Sequence, residues 1–129
     1  MVPAAGNPAH ALGRWGEERA ARFLGARGWT ILARNYRYGR KEVDLVVRRR
    51  DLVAFVEVKT RTGEGFGRPQ DAITPLKRRE IEAVAAQYLA RHRLGEIVVR
   101  FDAVAITVGP PGSAVEIVHL EDAWRPGWV

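Results

Sequence analysis

Two apolar runs in the middle of the chain, Val43 to Val47 and Leu52 to Val58, are separated only by Arg48-Arg49-Arg50-Asp51. Runs this short and this rich in valine read as strands, and so tight a connection makes them antiparallel neighbours. The second run is almost continuously apolar, the pattern of a strand covered on both faces. A chain of 129 residues with 47% apolar side chains has room for one domain and one core. The sheet containing these strands must therefore lie between helices. Asp44 interrupts the first run and Glu57 the second, and an ionised group in a buried strand is costly unless it is paired or bound to a metal.

The rest of the chain supplies the cover. Asn7-Pro8 reads as an N-cap followed by proline at the first helical position, and Leu12, Trp15, Gly16, Ala20, Phe23 and Leu24 recur at helical spacing until Gly25 and Gly28. Trp29 to Tyr36 reads as a strand and Tyr38 to Lys41 as a turn, with Glu42 to Arg48 and Leu52 to Lys59 as the second and third strands. Thr60 to Pro69, which holds Gly63, Gly65 and Gly67, reads as a mobile loop. Thr74-Pro75 caps a second helix, with Leu76, Ile81, Val84, Ala85, Tyr88 and Leu89 on its apolar face and an end near Gly95. Ile97 to Val108 and Ala114 to Leu120 are the last strands, and Glu121 to Val129 has no period. The order α-β-β-β-α-β-β defines an α/β domain, a central mixed sheet flanked by helices.

A strand has a period of two, so Phe55, Glu57 and Lys59 share one face of the third strand. By the same rule Glu42, Asp44 and Val46 share one face of the second, opposite Val43, Leu45 and Val47. With Arg49-Arg50 or Arg50-Asp51 as a two-residue loop, Asp44 lies diagonal to Glu57 or directly opposite it, on the same face. A loop one residue longer or shorter parts them. Neighbouring carboxylates repel, and Mg²⁺ or Mn²⁺, which take oxygen ligands, relieve the repulsion. With a lysine beside them, this is the equipment of metal-assisted phosphodiester hydrolysis. The competing reading is a buried Glu57–Lys59 or Asp44–Lys59 ion pair without a metal.

Glu42-Val43-Asp44-Leu45-Val46 followed by Phe55-Val56-Glu57-Val58-Lys59 resembles the PD-(D/E)xK nuclease pattern. With Gly16-Glu17 on the first helix, Lys77 on the second and Arg100-Phe101-Asp102 on a later strand, the set is similar to the YraN-like family over about residues 10 to 122. That family is grouped with the restriction-endonuclease-like fold of archaeal Holliday junction resolvases. The resemblance implies that Asp44 and Glu57 are metal ligands, that Lys59 is the catalytic lysine and that Glu17 is an additional acid reaching the ion directly or through water. Val43 stands where the superfamily name has proline, and Arg40-Lys41 replaces a more usual glycine. The implied activity is a metal-dependent DNA endonuclease acting on branched or structured DNA. The alternative is a nucleic-acid-binding module that keeps the fold without cutting.

Helical phase puts Glu17 at the edge of the apolar face and Glu18 on the opposite side; the ordinary alternative for Glu17 is an exposed ion pair with Arg14 or Arg22. Lys77 shares a stripe with Ile81, Val84 and Tyr88, and its alternative is to snorkel to the helix end. The 21 Lys and Arg outnumber the 15 Asp and Glu, and residues 1–50 hold 11 basic against 4 acidic side chains. A polyanion is the expected partner. Arg34 to Lys41 interleaves basic and aromatic residues beside Asp44, so Arg37, Arg40 and Lys41, joined by Lys77, are the expected nucleic-acid contacts. Arg48-Arg49-Arg50, at the other end of the same strand, would extend that footprint or simply solvate a turn, and the solvated turn is the favoured reading. RNA stays open as a ligand, and so does a homodimer. Cysteine is absent, which excludes a disulfide framework and a thiolate zinc site. No apolar run is long enough to span a membrane, and the expected compartment is the cytoplasm.

Overall fold

The computed structural model of the chain describes residues 8–63, 68 and 71–128. Helices α1 (Pro8–Ala26) and α2 (Pro75–Arg91) accompany strands β1 (Thr30–Tyr38), β2 (Lys41–Arg49), β3 (Leu52–Thr62), β4 (Val98–Val108) and β5 (Val115–Trp124). The strands lie side by side in chain order, with β3 and β4 parallel and the other pairs antiparallel. A parallel pair needs a crossover between its strands, and α2 provides it. The expected element order and mixed sheet are both present.

Each helix covers one face. Ala20, Ala21 and Leu24 of α1 pack with Leu45, Val47, Ala54, Val56, Val58, Val104 and Ile106. Ile81, Val84, Ala85 and Tyr88 of α2 pack with Val43, Val46, Val53, Phe55, Phe101 and Trp124. Because both faces are covered, β3 reads as an unbroken apolar run. At Gly16 the backbone of α1 comes so close to β3 that an added Cβ would lie 2.9 Å from the Cβ of Thr60. Only glycine admits that approach, and it brings the next residue, Glu17, down to the sheet. No helix among the described residues is long and apolar enough to cross a membrane.

Three boundaries differ from the sequence reading by three residues or more, and β1 runs two residues past Tyr36, to Tyr38. β3 continues to Thr62, because it pairs with β4 as far as Thr62↔Val108 and Gly63 N–H then donates to Val108 O at 3.1 Å. Thr60 to Thr62 thus belong to the sheet, while residues 64–67 and 69 of the expected loop lie outside the described residues, as does the expected cap Asn7. β5 continues to Trp124 past a bulge near Asp122, whose φ is 53°. Aperiodic burial hid this segment, since Trp124 is held by the Phe101 ring at 5.3 Å and by donation to Glu82 Oε2 at 3.1 Å. α2 stops at Arg91, with His92 as its C-cap, rather than near Gly95. The expected N-cap is present: Thr74 Oγ1 accepts from Lys77 N–H at 3.1 Å.

Candidate functional site

The hairpin from β2 to β3 turns on Arg50-Asp51, with Arg49 opposite Leu52. This is the register that would set Asp44 against Glu57, yet the pairing ends one step earlier, at Leu45↔Val56. On the other flank of β2, the pairing with β1 skips Asn35 and Asp44, and Asn35 has a φ of 49°. The regular pleat therefore breaks at Asp44. Val43 packs with Val46 against α2, whereas Leu45 and Val47 pack against α1. The expectation that Val43 shares a face with Leu45 is corrected by this break, because alternation counts faces only where the pleat is uniform.

The consequence is a gap between β2 and β3, and Asp44 bridges it. Its Oδ2 accepts from the backbone N–H of Val58 at 2.7 Å, replacing a ladder bond the separated strands no longer make. Glu57 stands beside it on the α2 side. Its residue is 4% exposed, and its Oε1 has no hydrogen-bond partner among the described residues. Burial, reinforced by the Asp44 carboxylate, pushes the Glu57 carboxyl up to about 9, with Lys77 and Lys59 pulling in the opposite direction. Lys59 lies two residues on along the same face of β3 and is half-buried. The cation in direct reach of Glu57 is Lys77, whose Nζ is 3.8 Å from Glu57 Oε2, 3.9 Å from Glu80 Oε2 and 3.3 Å from the carbonyl oxygen of Glu42. Lys77 is thus turned inward to the acids.

Glu17 approaches from the α1 side. Burial, then the Asp44 and Glu42 charges, raise its carboxyl to about 7, against the lowering effect of a hydrogen bond from Asn35. With its amide nitrogen facing the acids, Asn35 donates to Glu17 Oε1 at 2.8 Å and to Glu42 Oε1 at 3.0 Å. Of the arginines considered for Glu17, Arg22 pairs with Glu18 instead, at 3.3 Å, and Glu18 also meets Arg34 at 2.6 Å. Asp44 is the shared neighbour of Glu17 and Glu57. Among the described residues no group of three or more His, Asp or Glu side chains is already arranged to hold a metal ion. A concavity of about 450 Å³ opens on the Glu17 side, lined among others by His10, Arg14, Glu17, Asn35, Arg37 and Glu42.

The basic, aromatic segment is only partly available. Arg37 is paired with Glu42 at 2.8 Å and Arg34 with Glu18. Tyr36 is not a stacking platform, because its hydroxyl donates to Gln87 Oε1 at 2.6 Å and its ring meets Tyr88 edge-on at 4.9 Å. Tyr38, Arg40 and Lys41 are exposed around the tip of the β1–β2 hairpin.

A second buried acid provides the contrast. Asp102, fully buried on β4, accepts from Arg100 Nε and Nη2 at 2.8 Å each, lies 2.8 Å from His119 Nε2 and accepts from Asp122 N–H at 3.0 Å. Burial works to raise its carboxyl, and the bonds from His119, Arg100 and Asp122 outweigh that and hold it below the usual range. An acid in an apolar strand is therefore not by itself a site; Asp102 is saturated, whereas Glu57 keeps a buried oxygen without a partner. Sequence reasoning quoted Asp102 only within a resemblance and missed Asn35. The signal for both was a polar side chain inside a strand pattern.

These shifts have a direction in solution. A carboxyl whose folded pKa is raised binds protons more tightly in the native than in the unfolded chain, so stability falls as pH rises between the two values. In metal-free protein the melting temperature should decline as pH climbs from the ordinary 4.5 toward about 9, and Glu57→Gln should remove most of the decline. A melting temperature constant across that window would contradict the assignment.

The sequence matches uncharacterised protein family UPF0102 over residues 16–106, a span that includes Glu17, Asp44, Glu57, Lys59 and Lys77. A UPF0102 protein of Syntrophotalea carbinolica is 42% identical over 118 residues, covering 91% of this chain and 94% of the relative. One from Anaeromyxobacter dehalogenans is 44% identical over 126 residues, covering 95% and 92%. One from Rhodococcus opacus is 44% identical over 114 residues, covering 88% and 96%. The chain belongs to the UPF0102 family, the YraN-like group that its motifs resemble.

Proposed function

We propose that this chain hydrolyses phosphodiester bonds in DNA with Mg²⁺ or Mn²⁺ held by Asp44 and Glu57. The observation that supports this most is the buried, unpartnered Oε1 of Glu57 next to the Asp44 carboxylate. Such an arrangement is costly for a fold and suited to a hard cation with oxygen ligands. When bound, the ion polarises a phosphoryl oxygen and lowers the pKa of a coordinated water. The rest falls to the chain itself. Val58 N–H fixes the Asp44 carboxylate through Oδ2. Glu17, steadied by Asn35, would serve the ion as an additional acid, directly or through water. Lys59, on the Glu57 face, orients the attacking water or steadies the charge on the phosphate. Arg40 and Lys41 at the hairpin tip hold the neighbouring backbone.

The second reading is a nucleic-acid-binding module that does not cut, favoured by the want of a preformed three-ligand group among the described residues. Incubating the protein with linear, flapped, forked and four-way DNA, with Mg²⁺, Mn²⁺ or EDTA, separates the two. Metal-dependent cleavage of at least one structure is expected, and binding without cleavage of any would give the reading to the module.

A further inference from the structure

Positive charge without a carboxylate partner gathers at the end of the sheet away from the acids. Arg27, just past α1, and Arg48, Arg49 and Arg50, around the β2–β3 turn, form no ion pair among the described residues, whereas Arg34 and Arg37 of the expected binding segment are both neutralised. Arg27 and the β2–β3 turn meet beside Gly28, where an added Cβ would lie 3.7 Å from Arg49 Cδ.

These arginines are also held in place. The Arg27 guanidinium lies 3.6 Å from the centre of the Phe23 ring, and that of Arg49 lies 4.4 Å from a ring of the buried Trp29. Arg49 Nη1 donates to the Arg27 carbonyl at 3.3 Å, and Arg48 Nε to the Arg50 carbonyl at 2.9 Å. Stacking restrains a guanidinium while leaving much of its donor edge available, so less entropy is lost when an anion is bound.

Arg50 adds an independent argument. It occupies the two-residue turn with a φ of 57°, a left-handed conformation that such turns normally give to Asn, Asp or Gly and that strains an arginine. The turn would form better without it. A strained residue that the fold does not require points to a role outside the fold.

We infer that Arg27, Arg49 and Arg50 form a docking surface for the phosphate backbone of a nucleic acid, separate from the acid site; Arg48 turns to the α2 face, where its Nη1 lies 3.5 Å from the Leu94 carbonyl oxygen. Planar guanidinium groups suit phosphodiesters, to which they donate two bonds at once. Asp44 and Arg48, the neighbour of Arg49, share β2, about 13 Å apart at ~3.3 Å per residue, or some four base pairs of duplex. One DNA can therefore touch both sites. The inference rests on the proposed function only in taking the polyanion to be a nucleic acid, and it needs no metal.

The test is a fluorescence-anisotropy titration, in EDTA, of a labelled duplex and a labelled single strand with the wild type, with Arg27→Ala/Arg49→Ala/Arg50→Asn, and with Arg50→Asn alone. The triple variant should bind at least about tenfold more weakly, with a slope of log affinity against log salt shallower by about 2 to 3. Arg50→Asn fits the turn, so it should keep or raise the melting temperature while the slope falls by about 1; this keeps the test decisive if the triple variant folds poorly. Unchanged affinity and slope would overturn the inference, as would a wild type that binds neither nucleic acid or that uses these arginines only on anionic phospholipid vesicles. Arginine-dependent binding by a protein that cuts nothing with Mg²⁺ or Mn²⁺ would sustain the inference and overturn the cleavage reading.

Discussion

Glu57→Gln and Lys59→Ala are each expected to slow metal-dependent cleavage by about 100-fold or more, the scale on which removing a group that stabilises developing charge acts. Neither should weaken the fold. Glu57→Gln keeps the shape of the side chain and takes away a carboxyl that is hard to ionise where it sits, so the metal-free protein should melt at the same temperature or higher, most clearly at alkaline pH. Lys59 is half-buried, and the cation in reach of Glu57 is Lys77; the Glu57–Lys59 and Asp44–Lys59 ion pairs considered from the sequence are not formed. Rate measurements on the DNA structure that the wild type cuts, beside melting curves, check both halves. Early melting with proportionate loss of activity would mark these residues as structural.

Asp102→Ala should do the opposite. It leaves Arg100, whose side chain is 17% exposed, without its buried counter-charge and His119, 10% exposed, without its hydrogen-bond partner, and breaking such a buried charge pair costs about 3 to 5 kcal/mol. Chemical denaturation should show that loss at neutral pH, with any surviving folded protein keeping its catalytic rate. The same network is also lost in acid. The Asp102 carboxyl is held below its ordinary 3.8, so its contribution is present above that value and disappears as pH falls through the lower, folded one. A variant as stable as the wild type would show that the bonds around Asp102 contribute little.

The two acids that sequence periodicity picked out thus differ from a third that it passed over, and the difference lies in partners rather than position. Strand patterns revealed the sheet, both helices and the face shared by Phe55, Glu57 and Lys59, because β3 keeps its pleat along its whole pairing with β4. They failed at Asp44, because Asn35 in a left-handed conformation and the parting of β2 from β3 break the alternation on which face counting depends. Lys77 was legible as a residue on the packed stripe of α2. Its target was not, since a lysine chain is long enough to turn inward to an acid or outward to solvent. Arg48-Arg49-Arg50 looked like an ordinary polar turn, and only the Trp29 ring beneath Arg49 and the sign of φ at Arg50 set it apart.

The claim that Asp44 and Glu57 form a cation site is tested most directly by calorimetric titration of Mn²⁺ into the metal-stripped protein and into Asp44→Asn and Glu57→Gln. The wild type should take up Mn²⁺ saturably, and each variant should lose most of that binding while still melting cooperatively. No saturable uptake by the wild type at millimolar Mn²⁺, or uptake that both variants retain, would contradict the account.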